Sequence, residues 1–197
     1  MARDDFTDLP GDDGVPIFPE SRVVAERVVL RPFTEADVTG NQRACGDPVT
    51  QYWTSIPASY TLDDSRDWCL LLSKEVRAMG EGVAFAVADR ESDQYLGTVN
   101  LKRTDWEARV TEVGYLGAPW ARGRGYITEA VAALARWLFT DQGFARLELK
   151  AAPGNRASQR VAERVGFTRE GLLRGAGVIK SGRIDLVIYG LLPGDLG

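Results

Sequence analysis

Apolar and polar positions change rhythm several times along the chain. The run Val28-Val29-Leu30-Arg31-Pro32 is apolar and closed by proline, which predicts a strand. Thr34 can cap a helix that starts at Glu35 and stops before Asp47-Pro48, because a residue ahead of proline avoids helical backbone. Asp63 or Asp64 can cap a second helix carrying Trp68, Leu71, Leu72, Val76 and Met79 and closed by Gly80. Strands are then expected at 83–88, 96–101 and 112–116. Turn signals at 89–94 and 104–109 make them an antiparallel meander.

The rhythm becomes helical again from 127 to 141, where Ala130, Val131, Leu134 and Leu138 recur at helical spacing ahead of Gly143. Residues 147–151 read as a strand. Asn155 opens a helix with Ala157, Val161, Ala162 and Val165 on one face and Gly166 as its stop. Strands at 167–173 and 184–189 finish the chain around a Gly-rich turn. The order β-α-α-β-β-β-α-β-α-β-β is a mixed α/β pattern, and its β-α-β units imply a locally parallel pair after the meander.

Composition then removes whole classes of chemistry. The 197 residues favour one domain with a substantial core. Histidine is absent, which excludes Ser-His-Asp and Cys-His nucleophiles and any His-ligated metal, and two separated cysteines cannot build a structural zinc site. Cys45 and Cys69 read as free buried thiols, a disulfide being the lesser alternative. No apolar run approaches the ~18 residues of a membrane span. The acidic start is unlike a signal peptide, so a cytoplasmic location is expected.

Net charge is −4, and residues 1–22 hold six acids against two bases, so the rest is balanced. Those residues are expected to be an acidic, flexible extension of a domain spanning 23–197, a fold-back through Val15-Pro16-Ile17-Phe18 being the alternative. No basic excess points to nucleic acid. Twenty arginines against four lysines suggest a GC-rich bacterial source.

The segment Arg122-Gly123-Arg124-Gly125-Tyr126-Ile127 is the main candidate for chemistry. A short loop with two glycines feeding a helix N-terminus lets backbone N–H groups approach an anion, and arginine pairs well with phosphate. By itself it is equally a surface turn with two solvated arginines. Tyr126-Ile127 do not supply the Lys-Ser/Thr of a Walker loop, and Thr128 does not supply a third dinucleotide glycine.

With its neighbours, this segment resembles the GCN5-related N-acetyltransferases (GNAT), in particular their RimJ/RimL-like branch. That superfamily reads Gln/Arg-x-x-Gly-x-Gly/Ala at the loop, which Arg122 and Gly125 match and Ile127 matches imperfectly. Glu112-Val113-Gly114-Tyr115 and Tyr126-Ile127-Thr128-Glu129-Ala130 look like two further blocks of the branch. So do Asn155-Arg156-Ala157-Ser158, Val165-Gly166-Phe167 and Glu170-Gly171, and the likeness covers about residues 23–192. Leu186 departs from it, since many relatives carry histidine after the aspartate at that point.

The resemblance implies a mixed, mostly antiparallel sheet with helices on both faces and a splayed parallel pair that forms an acetyl-CoA cleft. It implies transfer of acetyl from acetyl-CoA to a primary amine, an α-amino group of a protein, peptide or peptide-like metabolite first. A small amine such as an aminoglycoside or polyamine is the alternative, with Asp47, Asp63 and Asp64 as its acids, and a non-catalytic acyl-CoA-binding module is the third. Residues 123–127 would hold the pyrophosphate with Arg122 beside them. Tyr115, Leu116 and Gly117 would pair with the pantetheine arm, with Asn155 as a further contact.

Leu116 N–H is the expected oxyanion donor, Glu112 the expected base, and Ser158 the expected proton donor to the departing thiolate. Asn155 is a helix cap in any case, Glu112 is equally a paired or solvated edge residue, and Tyr189 is a substitute for Ser158. Trp53 and Tyr189 are expected beside the acceptor with Glu112, Trp68 and Trp106 being weaker choices and more ordinary as core. The expected partners are acetyl-CoA and an amine, without metal, nucleic acid or membrane, and a homodimer is left open.

Overall fold

The computed structural model describes residues 9–10 and 14–196; what was expected of 1–8 and 11–13 lies outside the described residues. A two-residue pair, β1 (Leu9–Pro10) with β2 (Pro16–Ile17), precedes β3 (Val23–Val24) and β4 (Val28–Arg31). Four short helices follow: α1 (Val38–Cys45), α2 (Pro48–Trp53), α3 (Leu62–Asp67) and α4 (Ser73–Ala78). The meander is β5 (Val83–Asp89), β6 (Tyr95–Asp105) and β7 (Val110–Gly117). Then come α5 (Tyr126–Thr140), β8 (Arg146–Ala151), α6 (Arg156–Val165) and the hairpin of β9 (Thr168–Ile179) with β10 (Gly182–Leu191).

Strands β3 to β10 make one eight-stranded sheet in the order β3-β4-β5-β6-β7-β8-β10-β9. Every neighbouring pair is antiparallel except β7–β8, which the α5 crossover makes parallel. Helices cover both faces, and strand alternation sorts the residues between them. Asn41 of α1 donates to Tyr95 Oη, which shares a hydrogen bond with Thr98; across the register shift between Tyr95 and Gly97, Tyr95 and the even positions from Thr98 onward therefore face α1. Ile127 of α5 lies against Gly97 and Gly117, and Tyr115 reaches Ser158 of α6, so the odd positions face α5 and α6.

Several local expectations change in the fold. The helix ahead of Asp47-Pro48 does stop there, but Asp47 then caps a further short helix, α2, accepting from Val49 and Thr50 N–H with Pro48 at its first position. The cap of α3 is Thr61 in a reciprocal box with Asp64, rather than Asp63 or Asp64 alone. A π turn over Trp68–Leu72 links α3 to α4 and shifts the inward face, so Ser65, Cys69 and Ser73 are buried while Leu71, Leu72 and Met79 are exposed. The Gly-rich run near the end is no turn. Gly175 and Gly177 lie inside β9, and the hairpin closes at residues 180–181, between the paired Ile179 and Gly182.

At the start of the chain the fold-back is what residues 14–22 adopt. Phe18 is fully buried among Trp106, Trp137 and Phe144, with ring centroids 4.7–5.8 Å away, and its carbonyl accepts from Arg77. Among the described residues no helix is long and apolar enough to cross a membrane. Cys45 and Cys69 are free and buried.

Candidate functional site

The parallel pairing of β7 with β8 runs from Val110↔Arg146 to Val113↔Leu149 and stops. Beyond it Gly114–Gly117 continue along β6, while Lys150 and Ala151 continue along β10. The two strands therefore part into a V whose inner backbone edges lack a neighbouring strand. Ala118 N–H donates to Leu96 O, and alternation then turns the N–H and C=O of Leu116 toward β6 as well. This corrects the expectation for Leu116: its amide belongs to the ladder, and the amides of Tyr115 and Gly117 are the ones that open on the gap.

At one end of the gap lies the loop 122–125 and the N-terminus of α5. Gly123 and Gly125 both take left-handed backbone (φ 76° and 82°), which only glycine adopts at little cost. Gly125 is the N-cap and no side chain caps the helix, so the first N–H groups of α5 point outward without a protein acceptor from a cap. Glu129 would compete for that positive end, but Arg27 binds its carboxylate through backbone N–H (2.6 Å) and Nε (2.8 Å). Arg27 also donates to Arg124 O and stacks over the Tyr126 ring, so it clamps the loop from β4's approach. Ile127, the departure from the small-residue pattern, fits because two facing positions of β6 and β7 are glycine. A Cβ on Gly97 or Gly117 would meet its side chain at 2.9 or 3.0 Å.

Arg122 is not a free cation. Its Nη2 sits 2.6 Å from Asp47 Oδ2 and 3.0 Å from Thr50 Oγ1, tying the loop to the start of α2. Burial pushes the Asp47 carboxyl up, but Arg122 and the N–H groups of Thr50 and Val49 outweigh it and hold it below its usual value. Arg124 is exposed.

Across the gap stands α6, capped by Asn155, whose Oδ1 accepts from Ser158 N–H at 3.1 Å. The Tyr115 hydroxyl lies 2.9 Å from Ser158 Oγ and 3.1 Å from Ser158 O, so one phenol and one hydroxyl share a proton position at the α6 side of the V. Burial raises the Tyr115 hydroxyl above its ordinary value and so keeps it protonated. Tyr189 lies on the same face, near enough to Tyr115 to push its hydroxyl up further. It is fully buried on the α6 face and donates to Gln159 Oε1 at 3.3 Å, on the side of the sheet away from Glu112.

Glu112 occupies the opposite face, at the foot of the V. Only about 6% of its side chain is exposed, and three cations surround it: Lys102 Nζ at 3.0 Å, Arg103 Nη1 at 2.8 Å and Lys150 Nζ at 2.9 Å. Burial would raise its carboxyl, but Lys102 and Lys150 outweigh that and hold it below the usual carboxylate range. A general base works best with a pKa near the operating pH, so this environment suits a fixed anion better than a base.

Trp53, at the end of α2, overlies Gly154 in the loop before α6, where a Cβ would meet its ring at 2.9 Å, and Tyr52 meets it edge-on. Trp68 and Trp106 are half-buried against the core: Trp106 packs on Phe18 and Phe144 and donates to Gly80 O. Arg27, Lys102, Lys150 and the Tyr115 side chain were not legible as site residues, and Asp47, read as an acid for a polycationic acceptor, is instead the partner of Arg122. Each gains its role from a partner in another element.

A match to the GNAT acetyltransferase domain covers residues 27–168. The uncharacterized N-acetyltransferase p20 of Bacillus licheniformis is 31% identical over 170 residues, 85% of this chain and 93% of that protein. Among solved structures, Mycobacterium smegmatis RimJ in complex with a CoA-disulfide superposes with a TM-score of 0.81 at 21% identity over 90% of each chain. The ribosomal-protein-S5-alanine acetyltransferase of Vibrio fischeri does so at 0.76 and 20% identity over 90% of this chain and 99% of that one.

Proposed function

The chain belongs to the GNAT acetyltransferase family, and from that premise we propose that it moves acetyl from acetyl-CoA to the α-amino group of a protein or peptide. The observation that carries the reading is the parting of β7 from β8 beside an uncapped helix N-terminus. An extended pantetheine arm suits the first, as an added strand, and a pyrophosphate suits the second.

In this reading the N–H groups of residues 123–127 hold the pyrophosphate, and the clamp of Arg27 on Glu129 and Arg124 O keeps that cradle open. Tyr115 and Gly117 present backbone to the pantetheine and to the thioester oxygen. Losing such a donor costs about 3 kcal/mol of transition-state stabilisation. The acceptor enters from the face of Glu112 and attacks the thioester carbonyl, its proton leaving to solvent. The CoA thiolate takes a proton from the Tyr115–Ser158 pair. Asn155 fixes that pair by capping α6.

Trp53 lines the acceptor side over Gly154. Acetyl-CoA is polyanionic and made inside the cell, which favours the cytoplasm as the place of reaction. Of the acids that would serve a polycationic acceptor, Asp47 is tied to Arg122 and Asp64 to the α3 cap, so an aminoglycoside or polyamine is the weaker reading.

The test is thiol release from acetyl-CoA across peptides, aminoglycosides and polyamines, with CoA binding measured separately. We expect turnover with peptides. Ser158→Ala and Tyr115→Phe should each lower kcat by about 100-fold with the KM for acetyl-CoA little changed. Absence of CoA binding at millimolar concentration would overturn the reading, and unchanged kcat in both variants would overturn the proton-donor role.

A further inference from the structure

The face of the sheet opposite α5 and α6 is only half covered. On that side α1 packs on β6 and α4 on β5, and the even positions of β7 and β8 lie beyond them. There the chain has gathered cations. Lys102 and Lys150 stand at the foot of the V. A Cβ on Gly114, the first β7 residue past the parallel pairing, would meet Lys102 Nζ at 3.5 Å, and Lys150 is the matching first residue on β8.

The third cation reaches this face by a distortion. Arg103 follows Lys102 and by strand alternation would point to the other face. Instead the register shifts between Lys102 and Asp105, Arg103 takes left-handed backbone (φ 54°), and its guanidinium meets Glu112. A bulge re-aims a side chain, and a non-glycine residue held left-handed is strained, so the fold sustains this placement against a local penalty.

The carboxylates do not cancel the cations. Glu112 serves Lys102, Arg103 and Lys150 at once, and Glu148 is shared between Lys150 and Arg146. Arg146 is itself also paired with Glu170, leaving four cations to three acids. The unused donors are accessible: the Lys102 and Arg103 side chains are 41% and 69% exposed. Beside them on β10, Leu186 and Ile188 add a half-buried apolar strip.

We propose that Lys102 and Arg103, held by Glu112, form a carboxylate-recognition subsite for the acceptor, so that the preferred substrate is a peptide with an acidic residue directly after its reactive amine. The inference rests on the acetyltransferase reading above and names the substrate class of that site. Surplus positive charge at the foot of the V attracts a side-chain carboxylate and repels a polyamine, and it disfavours the protonated form of the incoming amine. Glu112 is then a positioning residue that keeps three cations on one face.

The test compares matched peptides differing only at the second and third residues (Asp/Glu, Gln or Lys) by thiol release with the full chain. The acidic peptide should exceed the lysine peptide by about tenfold in kcat/KM, mainly through KM, and its KM should rise with salt. Lys102→Gln and Arg103→Glu are both at exposed side chains, and each should collapse that ratio toward one. Equal turnover of all peptides by the parent protein, or a preference that survives both variants, overturns the subsite. Absence of CoA binding overturns the underlying reading instead, so the two failures are distinguishable.

Discussion

At the scale of single residues, burial decides which charges work and which are fixed. Glu112 illustrates the point. Its carboxyl is held below the ordinary range in the native state, so ionised Glu112 contributes stability that is present above the unfolded value, about 4.3, and is lost as pH falls through the native value. Glu112→Gln should therefore cost about 1–2 kcal/mol near neutral pH, less than a fully buried pair because two of the cations are wet. That is roughly 3–6 °C in Tm for a chain of this size, and the deficit should close below about pH 4. Thermal melts of both proteins from pH 3 to 8 check this, and a deficit independent of pH would show that packing rather than charge is lost. Residues whose roles are local were legible in the sequence. Asn155 caps α6, Gly166 stops it, and Gly123 and Gly125 turn the loop. The Arg27–Glu129, Arg122–Asp47 and Tyr115–Ser158 contacts were not, because they join residues 102, 75 and 43 positions apart.

At the scale of elements, the start of α5 and the meander fit each other by subtraction of side chains. Gly97 and Gly117 are register partners on β6 and β7, and both yield space to Ile127. Their substitutions should differ, however. A Cβ on Gly97 would also meet the Leu116 carbonyl at 2.4 Å, whereas at Gly117 only the Ile127 side chain stands in the way. Gly97→Ala should therefore cost about 2–3 kcal/mol and Gly117→Ala nearer 1 kcal/mol, with Ile127→Ala, which removes both Cγ1 and Cδ1, relieving the contact only at the second. Chemical denaturation of the parent, the three single variants and the two double variants reads this directly. The element order from β4 onward was visible in the periodicity, since apolar spacing of two and of 3.6 needs only local sequence. The missed α2 and the displaced α3–α4 face were not. The first is a six-residue helix with little periodicity to display, and the second turns on a π insertion that shifts spacing by one residue.

At the scale of the whole molecule, the segment ahead of the first long strand belongs to the core. Phe18 fills a site between Trp106 of the β6–β7 turn, Trp137 of α5 and Phe144, so it ties the chain's start to the elements that flank the gap. Phe18→Ala should cost about 3–4 kcal/mol, or roughly 10 °C in Tm, and a loss below about 1 kcal/mol would mean that the fold-back is not part of the stable structure. By itself the sequence determined the succession of strands and helices, the glycine loop that opens α5, and, through the order of its motifs, the family resemblance. Each is a matter of neighbouring residues and their spacing. Only the tertiary structure decided that Leu116 turns its amide to β6, that Glu112 is encircled by Lys102, Arg103 and Lys150, and that Tyr115 meets Ser158. Those outcomes depend on which strand lies beside which and in what register, and pairing across distant segments is set by how the whole sheet closes over its core.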